Sequence, residues 1–309
     1  MYNKNDTWKE LQPLLPSKNQ ITDNIKPLEK YESINDMEIH IDEYEKNAET
    51  TVVVLHGVGG NGRLVSFFAV PLVREGYNVI CPDLPGYGFT KYNKRLTYND
   101  WIEVGSKIVE KELLKSRNVF LIGLSAGGML AYNVACRQQE ISGLIVSNLL
   151  DNREEEVRIY SAKNKFQAKY GIKLLNLLPS FLKKFKIPIK MVTNMEALVN
   201  DKEILKVLLK DKYGAGSSVD VGFLLSMMNS SPLKEPENFE KPPVLMVHPG
   251  NDQWTPLQIS EIFFNKISSK KRKVILEKAG HFPVEEPGLT QMEEAIFRFI
   301  NECVSGHFT

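Results

Sequence analysis

Short apolar runs alternate with segments of helical periodicity over residues 50–150 and again over residues 243–304. The runs are four or five residues long and rich in β-branched residues, which favours strands over buried helices. They are Thr51–Leu55, Tyr77–Cys81, Val119–Ile122, Leu144–Ser147, Val244–Val247 and Lys273–Glu277. When strands and helices alternate along a chain, the strands pair in parallel and the helices cover both faces of the sheet. The alternation therefore predicts an α/β fold with a mostly parallel sheet.

Further segments complete this prediction. Lys30–Ile34 and Met37–Tyr44 flank the turn residues Asn35-Asp36 and predict a hairpin, which brings the sheet to eight strands. Helical periodicity predicts helices over residues 63–75, 97–115, 126–138 and 289–302.

Residues 151–240 show helical periodicity and no clear strand. We interpret them as a helical cap that is inserted into a core formed by residues 30–150 and 241–309. Residues 1–29 form an N-terminal extension that is mainly polar. Three of its apolar residues share one predicted helical face that would lie on the core: Trp8, Leu11 and Leu15.

Charge and cysteine content exclude several classes of protein. Lys and Arg number 39 and Asp and Glu 38, so the net charge is +1, which argues against a nucleic-acid binder. Cys81, Cys136 and Cys303 are too few for a disulfide framework and are predicted to be buried thiols. The N-terminal segment lacks the apolar core of a signal peptide, and no stretch approaches the roughly 18 apolar residues of a membrane span. We expect a cytoplasmic protein.

Gly123-Leu124-Ser125-Ala126-Gly127 is the strongest local motif. The predicted strand Val119–Ile122 precedes it and a predicted helix follows it. A serine on such a sharp strand-to-helix turn is a candidate nucleophile, and the flanking glycines leave room for the turn. The backbone N–H of Ala126, at the start of the helix, is a candidate donor to an oxyanion. The alternative is a glycine-rich connection that binds phosphate.

A second glycine-rich loop, His56-Gly57-Val58-Gly59-Gly60, follows the predicted strand Thr51–Leu55. Glycines allow the backbone to approach a ligand closely. The N–H of Val58 is the predicted second oxyanion donor. We expect His56 to orient the loop rather than to act as a general base.

Asp252 follows the predicted strand Val244–Val247, and parallel sheets place their sites at the carboxyl ends of strands. A carboxylate at that edge can orient a histidine and stabilise its charged form. Asp151 is the rival candidate because it also follows a strand. The alternative role for Asp252 is an Asx-type turn that caps the next helix. Trp254, close by, is either a pocket wall or an ordinary core residue.

His281 is the only one of the five histidines in a short loop after the last predicted strand. It also follows both Ser125 and Asp252 in the chain, so it is the candidate general base. A solvated loop histidine is the alternative. We interpret Glu285 and Glu286 as the acidic start of a helix rather than as catalytic acids.

The chain order Ser125, Asp252, His281 and the loop Asp83-Leu84-Pro85-Gly86-Tyr87-Gly88 resemble the α/β-hydrolase superfamily over residues 30–150 and 243–304. Within it, the sequence looks most like monoacylglycerol lipases, lysophospholipases and related small esterases. It departs from many of these at Leu124, where they have a polar residue, often His. Because position 125 is Ser, the branches of similar fold that use Asp, the haloalkane dehalogenases and epoxide hydrolases, are disfavoured.

The resemblance implies an α/β-hydrolase fold and hydrolysis of a small-molecule acyl ester through Ser125, His281 and Asp252. It implies neither a metal nor a cofactor. Hydrolysis of thioesters, lactones, amides or carbon–carbon bonds uses the same triad and stays open, as does a catalytically silent binding protein.

Nine basic residues and no acidic one lie between Val157 and Met195, so the rest of the chain carries a net charge of −8. Apolar residues such as Leu174, Leu177 and Phe185 are interspersed among them. One interpretation is that the apolar face packs on the core and the lysines are solvated. The other is that this face lines an acyl pocket and the lysines attract an anionic lipid surface. Nucleic-acid binding is disfavoured, as is recognition of a free amino terminus, which requires acidic groups.

Overall fold

The computed structural model describes residues 1–164, 170–179 and 182–309. Ten strands are found in these ranges, and eight of them form one sheet. The strands are β1 (Leu28–Ile34), β2 (Met37–Tyr44), β3 (Thr50–Leu55), β4 (Asn78–Pro82), β5 (Asn118–Gly123), β6 (Gly143–Val146), β7 (Lys186–Pro188), β8 (Ser218–Asp220), β9 (Val244–Pro249) and β10 (Lys271–Leu276).

The large sheet has the order β1-β2-β4-β3-β5-β6-β9-β10. The hairpin strand β2 pairs with β1 and β4 in antiparallel orientation, and all other pairs in this sheet are parallel. Every residue of the central strands β3, β5, β6 and β9 except Asn118 is buried, as expected for strands covered on both faces. The predicted eight-stranded, mostly parallel sheet is confirmed.

Eleven helices are found in the described ranges. They are α1 (Asp6–Leu11), α2 (Ser66–Arg74), α3 (Tyr98–Leu113), α4 (Ala126–Arg137), α5 (Glu155–Ser161), α6 (Ile172–Asn176), α7 (Ile189–Val192), α8 (Lys202–Leu208), α9 (Val221–Met228), α10 (Leu257–Phe264) and α11 (Gly288–Val304). Thr97 caps α3, and its side chain and that of Asp100 form a reciprocal capping box.

Helices cover both faces of the sheet, as predicted. On strand β5, Phe120 contacts Phe299 of α11. Gly123, an odd number of residues further along and therefore on the opposite face, lies against Ala131 of α4. Helix α3 packs beside α4, and helix α2 contacts α11.

Residues 151–240 lie between β6 and β9 and contain five of the helices, α5 to α9. The expectation of no strand in this segment is wrong, because β7 and β8 form an antiparallel ribbon. Each of these strands has only three residues, so neither shows a periodic pattern of its own, and the paired residues are 30 to 34 positions apart in sequence. The division of the chain into core and cap stays a prediction.

The N-terminal extension packs on the core through Trp8 and Leu11 of α1 and through Leu15, which lies beyond the end of that helix. The Arg63 guanidinium lies against the rings of Tyr2 and Trp8, which ties the extension to the segment that follows β3. Among the described residues, we find no helix with the length and apolar character needed to cross a bilayer.

Candidate active site

Ser125 lies at the carboxyl edge of the sheet, between the end of β5 and the start of α4. Its backbone angles, φ 58° and ψ −126°, are strained for a residue with a side chain. The turn is tight enough that a Cβ at Gly123 would lie 2.1 Å from the carbonyl oxygen of Gly127, and one at Gly127 2.5 Å from that of Leu55. The glycines of the motif are therefore required by the close approach of α4 to β3 and β5.

The structure brings Ser125, His281 and Asp252 together although they are far apart in the sequence. Nε2 of His281 lies 2.6 Å from Oγ of Ser125, and Nδ1 of His281 lies 2.8 Å from Oδ2 of Asp252. A carboxylate only accepts hydrogen bonds, so Nδ1 carries the proton in this arrangement. The Nε2 lone pair then faces the Ser125 hydroxyl, which is the orientation needed to accept its proton.

Asp252 combines the two roles that its sequence context suggests. Its Oδ1 accepts hydrogen bonds from the backbone N–H groups of Trp254 (2.9 Å) and Thr255 (2.8 Å), which is an Asx-type turn. Its Oδ2 faces His281 and accepts a further bond from the Thr255 hydroxyl at 2.8 Å. Burial raises the pKa of Asp252, but the charge of His281 and these hydrogen bonds outweigh burial and lower the pKa to about 2. Asp252 is thus ionised at neutral pH.

The rival carboxylate, Asp151, bonds to Arg153 and not to His281. Both of its oxygens accept bonds from the Arg153 guanidinium, at 2.7 to 3.1 Å, and Arg153 also pairs with Glu235. Asp151 does line the same cavity as Ser125.

Behind the three residues lies a chain of polar groups that the sequence did not indicate. The N–H of Ser125 donates to Oγ of Ser147, and that hydroxyl donates to Oδ1 of Asn148. The Asn148 amide in turn donates to Oγ1 of Thr255 at 3.1 Å. The backbone of the candidate nucleophile is therefore linked to the residue that holds Asp252.

His248 occupies the other side of Asn148. Its Nδ1 lies 2.9 Å from the carbonyl oxygen of Pro249, which can only accept, so Nδ1 carries the proton. Nε2 then accepts from the Asn148 amide at 3.2 Å. Burial lowers the pKa of His248, which favours this neutral form. Thr255 had a local signal, since it lies three residues after Asp252, whereas nothing in their own segments pointed to Ser147, Asn148 and His248.

His56 has the orienting geometry expected of it. It is fully buried, with Nδ1 2.8 Å from the carbonyl oxygen of Gly57 and Nε2 accepting from the N–H of Leu84 at 2.9 Å. Burial is the main cause that lowers its pKa to about 4, so it is neutral at physiological pH. It joins the glycine-rich loop to the loop after β4. Val58 and Ala126 both line the cavity at Ser125, where their N–H groups were predicted to lie.

A cavity of about 350 Å³ opens over Ser125. Trp254 forms part of its wall, with its ring 4.7 Å from that of His281. Most of the remaining lining is apolar and comes from residues 151–240, including Leu174, Leu175, Ile187, Val192, Leu225 and Met228. A cavity of this size and polarity suits an apolar group of a small ligand.

One group of potential metal ligands lies close together in the described residues, formed by Glu29, His40 and Asp42. Arg63 pairs with both carboxylates of this group, so their charge is already met by a guanidinium. This arrangement indicates a structural ion-pair network rather than a metal site. The free thiols are Cys81, which is buried, and Cys136 and Cys303, which are half-buried.

A family model described as serine aminopeptidase, S33 (Hydrolase_4) matches residues 46–288. A thermostable monoacylglycerol lipase of Bacillus sp. (strain H-257) is 29% identical over 107 residues, which are 34% of this chain and 42% of that protein. The chain thus spans less than half of the length of this relative.

Solved structures match a larger share of the chain than this relative does, at lower sequence identity. A soluble variant of monoglyceride lipase from Saccharomyces cerevisiae superimposes with a TM-score of 0.73 at 20% identity, covering 94% of this chain and 98% of that one. A monoacylglycerol lipase from Paleococcus ferrophilus gives a TM-score of 0.65 at 19% identity, covering 86% and 99%. At these identities the likeness shows the fold, which is that of the α/β-hydrolases.

Proposed function

The chain belongs to the Hydrolase_4 family of serine hydrolases, and from this premise we propose that it hydrolyses carboxylic esters through Ser125, His281 and Asp252. The observation that carries the proposal is the pair of short contacts that His281 makes, 2.6 Å to Ser125 and 2.8 Å to Asp252. Each nitrogen of one imidazole thus meets the partner that nucleophilic catalysis needs. A cytoplasmic location is part of the same proposal and rests on the sequence alone.

The proposed reaction begins when His281 takes the Ser125 proton at Nε2 as Oγ attacks the ester carbonyl carbon. Asp252 keeps the imidazole in the required tautomer and stabilises the imidazolium. His281 then returns the proton to the leaving alkoxide, and an acyl-enzyme remains. A water molecule, deprotonated by His281, then attacks the acyl-enzyme, and the acid is released as His281 returns the proton to Oγ of Ser125.

The oxyanion that forms on the carbonyl oxygen needs donors that are already in place. The N–H groups of Val58 and Ala126 are the proposed donors, and one such donor is typically worth about 3 kcal/mol of transition-state stabilisation. His56 supports them indirectly, because its bonds to Gly57 and Leu84 hold the loop that carries Val58.

The cavity favours an acyl ester over a peptide with a free amino terminus. An aminopeptidase must receive a substrate ammonium group on a carboxylate. Of the described cavity-lining residues only Asp151 carries one, and both of its oxygens are held by Arg153. The apolar lining instead suits an acyl chain, so we propose a monoacylglycerol or lysophospholipid as the class of substrate. The similarity to monoacylglycerol lipases supports the same choice.

Steady-state kinetics on a series of esters from acetyl to palmitoyl tests this proposal, with thioesters, lactones and amino-acid amides as further arms. We expect kcat/KM to be highest for a medium or long acyl ester. Higher kcat/KM on an amide or thioester of matched acyl group would overturn the ester assignment.

Ser125→Ala is the matched control for the chemistry, because it removes only the hydroxyl. We expect its rate to fall by a factor of about 10⁴ or more. A fluorophosphonate probe should label the wild-type protein and not the variant. An unlabelled wild-type protein that hydrolyses no ester would instead support the silent binding protein.

A further inference from the structure

The described part of the cap segment Val157–Met195 carries positive charge that no described carboxylate neutralises through an ion pair. It contains Arg158 and six lysines and has no carboxylate. None of the six lysines forms an ion pair with a carboxylate anywhere in the described residues. Three of them donate to neutral groups instead: Lys163 to the carbonyl oxygen of Lys190, Lys183 to that of Asn176 and Lys186 to the Tyr92 hydroxyl. The six lysines are Lys163, Lys173, Lys183, Lys184, Lys186 and Lys190.

The same segment concentrates exposed apolar side chains. Of the fourteen large hydrophobic residues that are exposed in the described part of the chain, seven lie between residues 159 and 191. Leu177 is 81% exposed and Phe185 62%. Exposed apolar residues gathered in this way mark an interaction surface rather than an ordinary solvent-facing one.

The charged and apolar groups meet beside the opening of the active-site cavity. Leu174 lines the cavity and is still 54% exposed, so it lies at the boundary between cavity and solvent. Leu177 follows it by three residues, which places both on one side of a helical turn. The bond from Lys183 to Asn176 brings the turn at residues 182–184 next to the end of α6. We call Leu174, Leu177, Lys183, Lys184, Phe185 and Lys186 the cap patch.

We propose that the cap patch docks the protein on an anionic lipid surface. Leucine and phenylalanine side chains partition into the headgroup and acyl boundary, and lysines next to them pair with anionic headgroups. The rest of the chain, at −8, is repelled by the same surface, so the charge distribution also orients the molecule with the cap patch towards the lipid. The apolar side chains argue for lipid over nucleic acid, since they gain nothing from a phosphate backbone.

Docking would place the cavity opening at the lipid surface. If the proposed function is correct, an acyl chain then passes from the lipid layer into the cavity without crossing water. The docking itself does not depend on turnover, so it is measured with the Ser125→Ala variant, and its failure is distinct from a failure of the proposed hydrolysis.

Vesicle sedimentation tests the proposal, with phosphatidylcholine vesicles alone and with added phosphatidylserine. We expect partitioning at least about tenfold stronger on the anionic vesicles, because each lysine near such a surface contributes roughly a fivefold factor. High salt should remove most of this difference, because it screens the lysines. Equal partitioning on both kinds of vesicle, or none on either, would overturn the proposal.

Two pairs of substitutions locate the surface. Lys183→Glu with Lys184→Glu should abolish the preference for anionic vesicles, and Leu177→Ser with Phe185→Ser should weaken binding at any salt concentration. The matched controls are Lys26→Glu with Lys46→Glu, and Leu28→Ser with Leu114→Ser, which change exposed residues outside the cap.

None of these residues lines the cavity. When the four pairs are made in the protein that keeps Ser125, turnover of a water-soluble short ester should therefore stay unchanged. This readout also shows that the variants are folded. If the control pairs lose as much vesicle binding as the cap-patch pairs, the cap patch is not the docking surface.

Discussion

The sheet edge that carries Ser125 and the cap that covers it are built in opposite ways. At the edge, Ser125 and Asp252 follow the buried strands β5 and β9, and hydrogen bonds from neighbouring groups hold the backbone of Ser125 and the side chains of Asp252 and His281. In the cap, the helices α5 to α9 have only four to eight residues, shorter than helices that are stable alone. The comparison teaches that the candidate catalytic residues are fixed by long-range packing in the sheet, whereas the segment that lines the cavity is built from short helices that depend on their neighbours.

The largest expected effect is a difference in kcat between variants of two carboxylates, Asp252 and Asp151. Asp252→Asn should lower kcat by about 10⁴-fold, because an amide at this position no longer enforces the His281 tautomer. Asp151→Asn should lower kcat by less than about tenfold, because Asp151 pairs with Arg153 and not with His281. Ester hydrolysis by both variants checks this. If Asp151→Asn alone abolishes turnover, the assignment of the acid is wrong.

Stability should show the same contrast between sheet and cap. Leu121 is fully buried on β5, so Leu121→Ala should lower the free energy of unfolding by about 2–5 kcal/mol. Leu177→Ala, at an exposed cap position, should change it by less than about 0.5 kcal/mol. Urea unfolding measures both. A large loss for Leu177→Ala would mean that the cap is packed as tightly as the core.

A substitution in the cap should change the selectivity for acyl chain length while the hydrolysis of short esters is kept. Leu175 lines the cavity, so Leu175→Trp should fill part of it and lower kcat/KM for long acyl esters by about tenfold to a hundredfold. Acetyl esters, which do not reach the cap, should be hydrolysed as before. Leu177→Trp is the control, since Leu177 lies outside the cavity. Equal losses on short and long esters would show that the substitution disturbs the catalytic residues instead.

The smallest expected effect comes from removing the hydrogen bond that the Thr255 hydroxyl donates to Asp252. Its pKa of about 2 in the folded protein lies below the ordinary 3.8, so its ionised form stabilises the fold above about pH 4, and this contribution is lost as the pH falls towards 2. Thr255→Val removes a hydrogen bond that lowers this pKa. The variant should therefore lose this stability at a higher pH, and kcat/KM at neutral pH should fall by less than about tenfold.

Unfolding as a function of pH, compared with the wild type, measures this shift. Thr255→Ser keeps the hydroxyl and should behave as the wild type does, which separates the hydrogen bond from packing of the methyl group. If the free energy of unfolding of Thr255→Val falls at the same low pH as that of the wild type, the Thr255 hydroxyl does not influence the pKa of Asp252.

Features that depend on adjacent residues could be predicted from the sequence, whereas features that depend on distant residues could not. The turn around Ser125 could be predicted because the glycines that permit it are within two residues of the serine. The helix α10 was not predicted separately, and the ribbon of β7 and β8 was missed. Both strands of this ribbon are too short for a period of two to be read, and the pairing of Ile187 with Val219 joins distant segments.

The amino-acid sequence by itself determined the α/β architecture and the order Ser125, Asp252, His281, because hydrophobic periodicity and turn chemistry act over a few residues. Only the tertiary structure decided that His281 pairs with Asp252 and not with Asp151, and that Ser147 and Asn148 connect Ser125 to Thr255. These pairings depend on which strand ends become neighbours in the sheet, and β6 lies between β5 and β9 through long-range packing that no local pattern encodes.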